Sequence, residues 1–454
     1  MPSIISSFIT RLRRNHAHNL TTFRQQPLSE ISGSLGDLGT FLPLLIALTT
    51  NHAISLSTTL ILTGIYNIAT GIFFGIPLPV QPMKAIAAVA ILKRMSAGEV
   101  AAAGLFVGSV IGFLSVTRLL SVVTRYVPVP VVKGIQVGAG LSLVVAAGTT
   151  ATASLSWTGP TWADNKIWLI VTFIALLTIN INISPTQQSS SSRIPFALLT
   201  TTLGIIFALT LTLQTKNFLP HITPWHPKLL LPTTPEWRIG ILTAGIGQLP
   251  LTTLNSIIAV THLSADLLPH ISIPSVTSIG LSITAMNLIS CFFSGMPVCH
   301  GSGGLAAQYK FGARSGASII FLGVLKLILG LVFGNSLTAL LQKFPSALLS
   351  VLVIAAGLEL VSVGESLNTV GQARDLKETT TTDTPSSTGG ITQQERKERW
   401  TTMMVTAGLL LAFKNDAVGF LAGMACHYSF VVGRRSGNSE SEGENEHERR
   451  PLLS

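Results

Sequence analysis

The sequence predicts an all-α polytopic membrane protein made of two inverted repeats, with a half-helix at the centre of each. Three observations predict it. Only 11% of the 454 residues are charged and 47% are hydrophobic, where soluble domains carry about 25% charged residues. Apolar stretches near the length of about 20 residues that a helix needs to cross a bilayer recur from residue 29 to residue 433. Three pairs of short motifs recur in the same order in the two halves of the chain.

The apolar segments fall at 29–49, 54–74, 77–93, 98–117, 128–148, 166–183, 194–213, 238–260, 274–294, 297–312, 316–340, 346–363, 399–413 and 415–433. The last two are short and read as a hairpin or as one long helix. The spans divide into a first repeat over 29–213 and a second over 238–433, each of about seven spans, joined by a loop at 214–237. Residues 1–28 form a basic N-terminus containing Arg11, Arg13, Arg14 and Arg24 and no acid. A polar tail, 434–454, opens on Arg434 and Arg435, and a Thr-rich charged loop occupies 364–398. The positive-inside rule places both ends and that loop in the cytosol, against which Lys93 and Arg94 count. The same N-terminus also has the composition of a mitochondrial presequence. About twenty residues follow the last span, too few for a soluble C-terminal domain.

The repeat rests on three matches. "GDLGTFLPLL" (36–45) answers "GQLPLTTLNS" (247–256), and "GIPLPVQPMKAIAA" (75–88) answers "GMPVCHGSGGLAAQ" (295–308). Pro128 and Pro345 are each followed, after eleven residues, by Gly-Leu-Ser-Leu and Gly-Leu-Glu-Leu. An odd number of spans per half gives the halves opposite orientations, the construction in which interrupted segments mark a transporter's binding site.

Lipid-facing backbone must satisfy its own hydrogen bonds, so Gly/Pro stretches at membrane depth have to be buried in protein or line a polar cavity. Segments 76–82 and 296–302 should be extended, because their prolines remove donors and disfavour helix before them. Helices should restart near Met83 and Gly303. A helix starting in mid-membrane presents unpaired N–H groups and about half a positive charge, and two such ends make an anion site. Ser302 suits an N-cap, Gly303 and Gly304 (with Gly301) leave the amides open, and Lys84 in the opposite first turn lies against the dipole, as a bound anion would require. The structural alternative is that the glycines serve close packing and Lys84 snorkels. Gln81, Met83 and His300 flank the two starts, and Thr40 joins them as a candidate ligand.

Asp37 is the buried carboxylate best placed to carry a proton, with a Lys84 salt bridge as its structural alternative. Gln248, Thr252, Thr253 and Asn255 are expected to face the same cavity, with Asn255 and Gln308 as gating candidates. Glu359 has an interfacial location as its alternative. Cys291, Cys299 and Cys426 form no regular framework, and Cys299 beside His300 lacks a completing metal-ligand spacing. Neither a nucleophile/base pair nor a metal constellation appears, so an enzyme is not expected, nor is a cofactor.

"EISGSLGDLGTFLPL" (30–44), "PVQPMKAIAAVA" (79–90) and "GMPVCHGSGGLAAQYKFGARSG" (295–316) closely resemble the MOT1 family of molybdate transporters, relatives of the sulfate permeases. The resemblance implies the uracil-permease-like fold of seven plus seven spans, with half-helices in segments 3 and 10 and a core that moves against a gate. It also implies molybdate, a tetrahedral dianion, as substrate, and assigns Gln81, Met83, Lys84, His300, Ser302, Gly303, Gly304 and Gln308 by their places in the motifs. Sulfate or another oxyanion, carried by a transporter or a channel on the same fold, is the alternative. A nucleobase permease is more distant, because Lys84, Ser302 and glycine amides are donors where ring N–H groups need acceptors. The expected partners are molybdate, a co-transported proton, the lipid bilayer and a second copy of the chain, with no nucleic acid. "ERRPLLS" resembles a dileucine signal, in which Glu448, Leu452 and Leu453 would meet a sorting adaptor. It favours the vacuolar membrane, with the plasma membrane as runner-up.

Overall fold

Local caps set several of the helix ends. The computed structural model describes residues 4–181, 195–215, 220–368 and 392–448. Helix α1 (Ile4–Gln25) precedes the first apolar segment, which holds α2 (Pro27–Leu35) and α3 (Leu38–Thr50), bent by 41°. In α4 (Leu56–Phe74) the Ser55 hydroxyl accepts from the Thr58 N–H, and Gly75, left-handed at φ 70°, ends the helix. Strand β1 (Val80–Pro82) leads into α5 (Lys84–Lys93). Helix α6 (Ala97–Val116) opens on a capping box between Ser96 and Glu99. Helices α7 (Leu119–Tyr126), α8 (Val129–Ser154), α9 (Lys166–Ile181) and α10 (Phe196–Gln214) complete the first half.

In the second half, α11 (Thr234–Gly240), α12 (Ile246–Leu251) and α13 (Val260–Leu267) run as one span, joined by π-helical turns at Ile241–Gly245 and Thr252–Ala259. Then come α14 (Val276–Ser290), β2 (Val298–His300), α15 (Ser302–Lys310), α16 (Ala317–Val332), α17 (Thr338–Leu341), α18 (Ser346–Ser362), α19 (Gln393–Phe413) and α20 (Asp416–Glu448). Among the described residues seven spans are individually long and apolar enough to cross a bilayer, and two bent pairs bring the number to nine. The protein is an integral membrane protein.

Helix pairs meet through glycine, as close packing in a bilayer requires. Helix α4 lies on α16, where a Cβ at Gly64 would stand 2.7 Å from the Gly323 carbonyl oxygen. Helix α8 lies on α18, where Gly140 and Gly357 approach each other's carbonyl oxygens at 2.7 Å from the Cβ position. These are the glycines of the Gly-Leu-Ser-Leu and Gly-Leu-Glu-Leu motifs, so the two copies of that motif pack on each other. Helices α19 and α20 also pack on α8.

Three features refine the sequence reading. The last two apolar segments are a hairpin, turned at Lys414 with φ 50°. Helix α20 continues to Glu448 through much of the stretch read as a polar tail. The basic N-terminus is a docked helix: Asn15 Nδ2 donates to the Phe73 carbonyl at 2.8 Å, and Asn19 Nδ2 donates to Gly71 at 2.9 Å. Leu452 and Leu453, and residues 369–391 of the Thr-rich loop, lie outside the described residues.

Gly140→Val should cost about 1–3 kcal/mol, the usual range for overpacking, measured as a lower melting temperature in detergent. Gly148→Val on the same helix, where nothing stands within 4 Å of the Cβ position, should melt like the parent.

Candidate functional site

The prolines of both interrupted segments impose extended backbone, and the two segments satisfy one another. Val80, Gln81 and Pro82 pair antiparallel with His300, Cys299 and Val298. Beyond the strands, the Met83 N–H donates to the Pro297 carbonyl at 2.9 Å. A buried asparagine closes the outer edge on each side. Asn67 Oδ1 accepts from the Val80 N–H at 2.8 Å, and Asn287 Oδ1 accepts from the Val298 N–H at 2.8 Å. Neither asparagine was singled out in the sequence, yet each stands eight residues before the motif glycine of its repeat, Gly75 or Gly295. Extending the motif alignment backward would have found them.

The antiparallel crossing places the starts of α5 and α15 at its two opposite ends. Helix α5 starts at Lys84, and its Ala85 and Ile86 N–H groups both donate to Gln248 Oε1, at 2.9 and 3.3 Å. Gln248 Nε2 in turn donates to Thr252 Oγ1 at 2.9 Å. Gln248 is therefore a side-chain cap for α5. At α15, Ser302 Oγ donates to Asn255 Oδ1, which projects from the second π-helical turn. The Lys84 ammonium lies over the first turn of α15, with Nζ 4.0 Å from where a Cβ of Gly303 would be. Two positive helix ends and an ammonium thus converge on one point.

Two cavities, of about 470 and 440 Å³, meet at that point and share Lys84, Leu143 and Ala146. The first adds Asn255, Gly303, Lys414 and Asp416; the second adds Thr40, Gln342, Ser346 and Ser350. Of the residues singled out in the sequence, Lys84, Gly303, Asn255 and Thr40 reach the cavities. Gln81, Met83, Gln248, Ser302, Gly304 and Asp37 are buried behind that surface. Thr252 is buried there as well, and its hydroxyl is taken up by Gln248.

His300 lies outside the cavities. Its Nδ1 faces the Pro79 carbonyl at 3.3 Å and its Nε2 faces Ser282 Oγ at 3.1 Å, so both ring nitrogens are occupied in the scaffold. Gln308 accepts from Ser318 Oγ at 2.8 Å and ties α15 to α16. Glu359 pairs with Lys310 at 3.2 Å. Gly301 and Gly304 make room for the Gln81 amide, which a Cβ at either would strike, so only Gly303 opens to the cavity.

Asp37 sits at the break between α2 and α3. Thr40 Oγ1 and Gln81 Nε2 both donate to its Oδ1, and Gln81 Nε2 also reaches Thr40 Oγ1 at 3.1 Å. Among the described residues it makes no ion pair with Lys84, so the salt bridge considered from the sequence gives way to a hydrogen-bonded carboxylate one layer behind the cavity. Lys84 and Lys326 both act on it electrostatically. Buried Lys326 lays its ammonium 3.7 Å from the centroid of the Phe41 ring.

Lys326, Lys414 and Asp416 are charges that the sequence reading missed. Asp416 lies at the tip of the α19–α20 hairpin, its buried Oδ2 unpartnered among the described residues, within the field of Lys84. The apolar part of α19, Thr401–Phe413, rises only about 20 Å, short of the hydrocarbon thickness of about 30 Å. The shortness of the last two apolar segments was the available signal for this hairpin. Among the described residues no group of three His, Cys, Asp or Glu could hold a metal.

The family described as "Molybdate transporter of MFS superfamily" matches residues 29–143 and 240–360, the two stretches that contain the half-helices. Molybdate transporter 2 of Arabidopsis thaliana is 41% identical over 384 residues, covering 76% of this chain and 80% of its own. Molybdate transporter 1 of the same plant is 37% identical over 390 residues, covering 78% and 84%. These relatives are named as transporters, not enzymes. The murine solute carrier 26 family member A9 anion transporter, in its inward-facing state, superposes with a TM-score of 0.55 at 13% identity, covering 89% of this chain and 68% of that one. At that identity the likeness shows the fold alone, the sulfate-permease fold. With both matched stretches, the relatives and the fold in agreement, the chain belongs to the MOT1 family of molybdate transporters.

Proposed function

We propose that this protein is a secondary active transporter of molybdate, which it binds between the starts of α5 and α15 and moves by alternating access. The observation that carries the reading is the position of the Lys84 ammonium over the first turn of α15, where two cavities meet. A tetrahedral dianion there would accept from Lys84 and from the first N–H groups of α15, which have no partners within their helix. The Lys84 ammonium and the free amides of the α15 start are donors that suit an oxyanion, and the names of the relatives favour molybdate over sulfate, which has the same charge and shape.

Alternating access requires contacts between core and gate that can break. Lys133 on α8 pairs with Asp266 on α13 at 2.7 Å, and Gln136 Nε2 donates to the Ala259 carbonyl at 3.0 Å. Both hold α8 against the Thr234–Leu267 span, and both would have to part as the core moves. Asp416 competes with the substrate for Lys84, which favours release when the hairpin tip approaches. Asp37 is the proposed proton carrier, connected to the α5 start through Gln81.

Lys84→Gln should weaken molybdate binding by at least about 30-fold, as expected for loss of a charge-assisted contact worth about 2 kcal/mol, with the melting temperature unchanged. Isothermal titration of the purified variant measures this, and wild-type affinity would remove Lys84 from the site. Asp37→Asn should abolish the acceleration of uptake by an imposed proton gradient while retaining exchange of labelled molybdate. An unchanged gradient dependence would place coupling elsewhere.

A further inference from the structure

The structure also contains a cavity that shares no lining residue with the two that meet at Lys84. It is a groove of about 500 Å³ between α1, α4 and α14, walled by apolar side chains that include Leu12, Phe73, Leu281 and Ile289. Arg11 stands at one end. Arg13 and Arg14 are exposed on the same helix, but Arg11 turns inward, and its Nε and Nη2 are buried without an acceptor among the described residues. Guanidinium donors removed from water need an acceptor, and no described residue supplies one to these two.

We propose that this groove binds an anionic phospholipid, with its phosphate on Arg11 and an acyl chain along α4 and α14. The dimensions agree with one leaflet. From Ser278 to Ile289, the lining residues of α14 rise about 16 Å, close to half of the hydrocarbon thickness of about 30 Å. The polar end lies where α1 is fastened by Asn15 to Phe73 at the end of α4, so Arg11 is at headgroup level and the apolar walls run toward the bilayer centre. Phe73, Leu281 and Ile289 are each more than 40% exposed, and they face lipid. A guanidinium presents paired donors that match phosphate oxygens. Arg13 and Arg14, exposed beside it on a helix with four arginines and no acid, favour an anionic headgroup over a zwitterionic one.

The test uses the full-length protein in mild detergent, with retained lipid measured by native mass spectrometry and stability by thermal melting. Wild-type protein should retain phosphatidylglycerol over phosphatidylcholine and melt higher with it, whereas inorganic phosphate should do nothing. Arg11→Gln should weaken phosphatidylglycerol retention at least tenfold, and Arg13→Gln by far less. Ala285→Trp, which fills the groove from an exposed position without touching the guanidinium, guards against a misfolded Arg11 variant and should also lose the lipid. Equal retention of phosphatidylcholine, protection by inorganic phosphate alone, or wild-type retention by either Arg11→Gln or Ala285→Trp would overturn the proposal.

Discussion

The antiparallel pairing of Val80–Pro82 with Val298–His300 is the constraint on which the rest of the site depends. Backbone at membrane depth has no water to pair with, and segments rich in proline cannot satisfy themselves as helices. Each segment instead uses the other, with Asn67 and Asn287 closing the outer edges. The pairing fixes where α5 and α15 begin and brings two positive helix ends together. Their mutual repulsion, increased by Lys84, is what a bound dianion would relieve.

The polar residues around this crossing divide into two layers. Gln248 and Asn255 serve the two helix starts from a single span, and the π-helical turn before α13 gives Asn255 its reach into the cavity. Behind them, Asp37 and Gln81 form a hydrogen-bonded cluster with Thr40, which itself reaches a cavity, and Gly301 and Gly304 make room for the Gln81 amide. On the opposite side, α8 supplies Leu143 to both cavities, and the glycine contact between α8 and α18 holds those two helices together. Asp416, reaching in from the hairpin tip, puts a charge on the wall of the cavity that Lys84 lines.

Much of this arrangement was legible in the sequence. Helix restarts read near Met83 and Gly303 lie at Lys84 and Ser302, because proline and glycine act locally and their effect does not wait for tertiary contacts. What composition and motif could not supply was the direction each polar side chain takes. In an extended segment successive residues point to opposite sides, so His300 and Gln81 share a motif with the site residues yet serve the scaffold. Lys326 and Asp416 were hidden for another reason: Lys326 is a lone charge in the apolar run of α16, and Asp416 belongs to the short polar turn Lys414–Asp416, far along the chain from the crossing.

The most direct test of an oxyanion site between the half-helices is uptake of molybdate into liposomes containing the purified protein, at sub-micromolar molybdate with sulfate in thousandfold excess. The site described here, within a family of molybdate transporters, predicts saturable uptake that persists under sulfate and disappears in Lys84→Gln. Uptake abolished by sulfate would contradict the assignment to molybdate, and uptake unaffected by Lys84→Gln would contradict the site itself.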